Sequence, residues 1–158
     1  MSFFSRLFKP KPAPNRRRLT GETVALLLRS ALAGRLAPNY RHVGAKRVMA
    51  VTTREMVCAA SDRSFKPWSR DAWECEDQAR ALVNELQLLA AIEGCSHAAG
   101  VLIGLHAGDP TPDERQDAHV WVWAIIESVG EPRVVLFDAT EREWTDTPDV
   151  CEIHISTT

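Results

Sequence analysis

Acyl transfer by a thiol needs three residue types: a nucleophile, a base to take its proton, and a group to orient that base. This chain offers them in one order as Cys75, His119 and Asp138. Cys75 stands where a helix begins. Unpaired N–H groups at a helix N-terminus favour a thiolate and can donate to a developing oxyanion. The competing reading is an inert buried cysteine, the commoner fate of a lone thiol. His119 opens a run of strand type, His119 to Glu127, that is apolar on both faces: Val120, Val122, Ala124 and Ile126 on one, Trp121, Trp123 and Ile125 on the other. Such a strand is expected to be central and covered on both sides, with the histidine at its mouth. The two strand runs are joined by a Gly-Pro-containing turn over 128–132, and tight closure through 128–131 brings His119 opposite residues 138–140, so Asp138 or Thr140 is expected to hold the imidazole. Cys, His and an orienting carboxylate follow the logic of thiol hydrolases. A strand-end His–Asp pair serving stability alone is the plainer alternative.

The helix that presents Cys75 is the clearest element in the chain. Over 72–93, Ala79, Leu82, Val83, Leu86, Leu89 and Ala90 recur at helical spacing and form one stripe, on which Cys75 also lies. Asp71 and Glu74 resemble a capping box, and Gly94 ends the run. Further elements are a helix over 20–33, started by Thr20 and stopped by Gly34, an extended stretch over 43–51, and a helical turn from Thr53. A loop over 61–70, strands over 99–106, 119–127 and 133–138, and an edge strand over 150–155 complete the set. The expected class is α+β, with a central helix packed on a small antiparallel sheet.

Acidic residues collar the thiol. Asp71, Glu74, Glu76 and Asp77 lie within a turn of Cys75, where they suit the helix dipole but disfavour a thiolate. A divalent cation at Glu76 and Asp77 would reverse that sign, and adjacent carboxylates suit Ca²⁺, although two fall short of a full shell. A solvated acidic helix start is the simpler reading. Trp68 and Trp73 flank the cysteine and are read either as walls of a substrate groove or as packing residues. Cys95, His97 and His106 are an unusual spacing for zinc and offer no obvious fourth ligand.

The chain has 158 residues, enough for one domain with a substantial core. Residues 1–18 carry six basic side chains and no acid, leaving 13 basic against 21 acidic residues in the remainder. The expected organisation is a basic, proline-containing tail over 1–18 and one domain over 19–158. The acidic domain argues against a nucleic-acid footprint, whereas the tail, with its phenylalanines, is suited to a partner or an anionic surface. None of the four cysteines forms a C-x-x-C pair. Neither a secretory signal nor a membrane-spanning run is expected from the apolar patterning.

Three short runs, in order, resemble a known family. Trp73-Glu74-Cys75-Glu76-Asp77-Gln78-Ala79 resembles the C-D-D-F-A helix start of a group of phage and prophage proteins. Ala118-His119-Val120-Trp121-Val122-Trp123 resembles their H-A-x-N-W strand, and Leu136-Phe137-Asp138-Ala139-Thr140 their L-x-E-P-Q-T strand. That group is similar to the C-terminal cysteine-protease domain of the MOA-related mushroom lectins. The resemblance implies a papain/transglutaminase-like fold, with Cys75 as nucleophile, His119 as base and Asp138 as the acidic third residue. It also implies calcium at Glu76 and Asp77, although the chemistry itself requires no cofactor. A peptide or protein is the implied substrate, and a host cytoplasm or phage particle the implied location. Glu76 in place of Asp, Gln78 in place of an aromatic and Ala139-Thr140 in place of Pro-Gln are the departures. The alternative function is a catalytically silent phage accessory or virion protein that uses the same fold for binding.

Overall fold

The structure is a computed structural model, which describes residues 16–32, 35, 47–67, 74–92, 94–105, 119–145 and 152–156. Strand β1 (Arg18–Thr20) leads into helix α1 (Gly21–Ala31). Strand β2 (Val48–Ala50), helix α2 (Arg54–Ser64) and helix α3 (Cys75–Ile92) follow, then strands β3 (Ala99–Leu105), β4 (His119–Ser128), β5 (Glu131–Asp138), β6 (Glu143–Thr145) and β7 (Glu152–Ser156). The last five form an antiparallel sheet in the order β6-β5-β4-β3-β7, while β1 and β2 pair separately. The class is α+β.

Strand β4 is central, and the alternation of its side chains builds two cores. Val120, Val122, Ala124 and Ile126 pack with Val101, Val135 and Phe137 under Val57 and Ala60 of α2 and Ala79, Leu82, Val83 and Leu86 of α3. Trp121, Trp123 and Ile125 pack on the opposite face with Leu102 and Leu136, under Leu19, Met49, and Val24 and Leu28 of α1. Burying apolar area on both faces is what holds the layers together.

Local signals explain the helix starts. Thr20 caps α1 by accepting from the Thr23 N–H, and Thr53 caps α2 by accepting from the Met56 N–H. The expected stop of α1 at Gly34 lies outside the described residues; the helix already ends at Leu32. Helix α2 runs to Ser64, into the stretch read as loop, because Val57, Ala60 and Ser61 present a buried face to the core. The Asp71 cap is also outside the described residues. At the start of α3, Asp77 Oδ2 accepts from the Glu74 N–H at 3.4 Å. Gly94 ends α3 with φ +69°, as expected. Strands β1 and β6 have no counterpart in the sequence reading. Arg18, placed in the tail by composition, opens β1, and the Val51 N–H donates to the Arg17 carbonyl, so the fold begins ahead of residue 19.

The β4–β5 turn is tighter than the 128–132 span and matches closure through 128–131. Ser128 pairs with Glu131, leaving Val129 and Gly130 as a two-residue turn with φ +52° and +80°. Pro132 therefore falls inside β5, opposite Glu127. Next to the hydrogen-bonded pair that closes such a turn comes a non-hydrogen-bonded pair, where proline's missing N–H costs nothing. A fully exposed valine at positive φ is a poor choice for this turn, which favours Asn-Gly. Val129→Asn is expected to raise stability by about 1 kcal/mol in denaturant unfolding.

His97, between α3 and β3, is 1% exposed, and neither ring nitrogen has a hydrogen-bond partner. Its backbone is gripped by Gln87, whose Nε2 donates to the His97 carbonyl (3.2 Å) and whose Oε1 accepts its N–H (3.3 Å). Burial, then the charge of Arg16, pulls the imidazole down to about 4, with the Ala50 backbone acting weakly the other way. A histidine depressed in the folded state is protonated first in the unfolded chain. Its contribution is therefore intact above the ordinary histidine value and is lost as pH falls toward 4, to the extent of about 3 kcal/mol. His97→Leu should be neutral or stabilising at pH 7 and should flatten the loss of stability between pH 6.5 and 4, measured by denaturant unfolding. An unchanged slope would contradict this.

Among the described residues, no helix is long and apolar enough to cross a membrane.

Candidate functional site

The site lies at the end of the sheet where β4 begins. The β4–β5 register runs from Ser128↔Glu131 to Val122↔Phe137, so the face that carries His119 also carries Asp138. His119 Nε2 meets Asp138 Oδ2 at 2.5 Å. The other carboxylate oxygen, Oδ1, accepts the N–H groups of Thr140 (2.8 Å) and Glu141 (3.0 Å). Burial pushes the Asp138 pKa up, but the His119 hydrogen bond, the Glu141 N–H, the His119 charge and the Thr140 N–H together bring it below the usual carboxylate range. Of the two partners the hairpin allows, Asp138 holds the imidazole. Thr140 contributes its backbone, and its buried Oγ1 has no partner. The Trp121 and His119 rings pack in a T-shaped arrangement, with centroids 4.5 Å and planes 68° apart.

Cys75 is the first residue of α3, partly buried, and packs against the α3-side core. Alternation along β4 puts His119 on the face opposite to that core. The backbone of Val120, the residue after His119, interacts with the thiol. No hydrogen bond joins Cys75 to His119. With Nε2 committed to Asp138, Nδ1 is the ring nitrogen left for a second partner.

Burial pushes the Cys75 thiol up. The N–H groups of Val120 and Glu76 work against this, and the charges of Asp138 and Glu74 add to it. The expected acidic collar therefore acts through Glu74 and, unforeseen, through Asp138. Glu76 is tied instead to Arg80, with Oε1 to Nε at 2.8 Å and to Nη2 at 2.5 Å. Asp77 closes the helix start through Glu74. Among the described residues, no group of three or more His, Cys, Asp or Glu is arranged to hold a metal ion. Trp68, Trp73 and His106 lie outside the described residues. Gln78 was seen only as a departure from a motif. It is 2% exposed, and neither its Nε2 nor its Oε1 has a partner; a polar residue beside the apolar stripe was the available signal.

This arrangement is a mixed α/β site with a charge-assisted His–Asp pair and a neutral thiol beside it. No protein-family model matches the sequence, and no curated protein matches it. Solved structures match the fold. One is Polyporus squamosus lectin bound to the human-type influenza-binding epitope Neu5Aca2-6Galb1-4GlcNAc, with TM-score 0.58 and 17% identity, covering 82% of this chain and 45% of that one. Another is a complex described as PSL1a-E64, with TM-score 0.64 and 16% identity, covering 86% and 49%. The chain thus spans about half the length of these neighbours.

A thiol raised above its ordinary value has less thiolate at neutral pH than an exposed one. Iodoacetamide should therefore modify Cys75 more slowly than the exposed Cys58 at pH 7, with a rate midpoint above the ordinary cysteine value of about 8.5. Asp138→Asn, which removes one of the raising charges, should lower that midpoint. Site-resolved mass mapping of the labelled peptides gives both rates, and a Cys75 midpoint below the ordinary cysteine value of about 8.5 would show a thiol that burial does not raise.

Proposed function

We propose that the chain is a papain/transglutaminase-like domain that performs thiol hydrolysis or acyl transfer on peptide or amide bonds through Cys75, His119 and Asp138. The observation that carries this reading is the 2.5 Å His119–Asp138 bond at the mouth of β4, with the Cys75 sulfur beside the Val120 backbone. The three family-like motifs, which motivate a phage or prophage origin, fall on these same elements. A structural neighbour complexed with E64 adds support, since E64 is an epoxide that alkylates active-site thiols.

In this mechanism the thiol rests neutral. As its sulfur attacks the carbonyl carbon, His119 Nδ1 takes the proton, while Asp138 holds the ring and stabilises the imidazolium. The carbonyl π electrons move to oxygen, and N–H groups at the start of α3, that of Cys75 among them, face the resulting charge. Collapse expels the amine, which takes the proton from His119 and leaves a thioester. Water or another nucleophile then releases the acyl group. A Ca²⁺ ion at Glu76 and Asp77 belongs to the same proposal. It would compete with Arg80 for Glu76 and would favour the thiolate.

A second reading, a binding domain without catalysis, draws on the raised thiol and on the lectin neighbours. Labelling with E64 separates the two. The enzyme reading expects stoichiometric modification at Cys75 that is absent in Cys75→Ala and slowed about 100-fold or more in His119→Ala. A rise in melting temperature with Ca²⁺, lost in Glu76→Gln/Asp77→Asn, would support the metal. E64 modifying Cys58 and Cys75 alike, at the rate of free cysteine, would end the enzyme reading in favour of the binding one.

A further inference from the structure

Gln78 lies one turn into α3 from Cys75. Residues three apart on a helix are neighbours, with Cβ atoms about 5–6 Å apart. Helical side chains also lean toward the N-terminus, so each covers the turn before its own Cα. That lean directs the Gln78 side chain toward the turn that presents the thiol. It is closed off from water, and neither its donor nor its acceptor is used. A buried amide left unpaired costs free energy at both ends, which makes it a place where a ligand is expected to supply the partners. Holding nothing, it also turns toward a ligand without breaking a hydrogen bond.

The same helix shows what such a group grips. Gln87 uses both ends of its carboxamide on one residue, donating to the carbonyl of His97 and accepting its N–H. Gln78 has the same unused pair at the functional end of the helix. We propose that Gln78 is the main-chain clamp of the site: its Nε2 and Oε1 hold a backbone carbonyl and N–H of a polypeptide segment lying beside Cys75. This names the substrate class as polypeptide main chain, independent of side-chain identity, and rests on the reading of Cys75 as a nucleophile.

The test compares two thiol reagents on the full-length protein and on Gln78→Met, which keeps the length of the side chain and removes its polar atoms. Iodoacetamide has no peptide backbone to hold. E64 carries its epoxide on a short peptide-like backbone; the Cys75 sulfur bonds to an epoxide carbon as the C–O bond opens, and the freed oxygen takes the thiol proton. In Gln78→Met the E64 rate at Cys75 should fall about tenfold or more, the loss expected of two hydrogen bonds, while the iodoacetamide rate stays within about twofold. An unchanged ratio of the two rates would show an amide of purely structural role and would overturn the clamp.

A second measurement applies where wild-type Cys75 resists E64, or where Gln78→Met does not fold. The side-chain NH₂ signals of Gln78 are followed by ¹⁵N NMR as a blocked tetra-alanine peptide is added at millimolar concentration. Movement of those signals supports the clamp even where the nucleophile reading has failed. Signals that stay fixed, or that move with a sialylated trisaccharide and not with the peptide, overturn it.

Discussion

Strand β4 cannot leave either face in water. Its side chains are apolar on both sides, from Val120 to Ile126, and all seven are buried. One face is closed by α2 and α3, the other by α1 with β1 and β2. This double burial fixes β4 at the centre of the sheet and sets α3 against one side of it. The only polar residue the strand tolerates on entry is His119, at the point where the covering layers end. The site follows from that placement: the mouth of a doubly covered strand is where a helix N-terminus and a hairpin end come together.

Asp138 links this frame to its surroundings. One carboxylate oxygen holds the imidazole and the other gathers the N–H groups of the turn after β5. That turn leads to Arg142, at φ +62°, which pairs with Asp62 and lies over the ring of Phe65 at 5.2 Å. Arg54 at the head of α2 lies over Trp144 of β6 at 4.5 Å. The turn that orders the carboxylate is thereby tied to α2. The same carboxylate works against the thiol, since it is one of the charges raising Cys75. The carboxylate thus favours the protonated form of the thiol while it holds the imidazole.

Much of the fold was legible in the sequence. The stripe of Ala79, Leu82 and Leu86 fixed the face of α3, and the alternation after His119 fixed the centrality of β4. What escaped were short elements held by tertiary contacts. Strand β1 has three residues and exists because β2 pairs with it, and β6 exists because β5 does. The last turn of α2, residues 61–64, reads as loop because its composition is polar, and Ser61 is the one residue there that joins the buried side of Val57 and Ala60. Closure through 128–131 matches the Ser128↔Glu131 pair, whereas the wider 128–132 span takes in Pro132 because proline reads as a turn residue; only the pairing register shows that no N–H is needed there.

By itself the sequence determined the helix whose first turn carries the thiol and the hairpin that sets Asp138 or Thr140 near His119. Periodicity and register are local properties, and local patterns carry them. Only the tertiary structure decided between Asp138 and Thr140, because the ladder stops at Phe137 and the geometry beyond it depends on how the carboxylate caps its own turn. Only the tertiary structure showed that the thiol packs with one core while His119 lies on the face opposite to it, that Glu76 is given to Arg80, and that Gln78 is buried with nothing to hold. Each depends on which groups share space across the layers, and burial and field strength follow from that arrangement rather than from spacing along the chain.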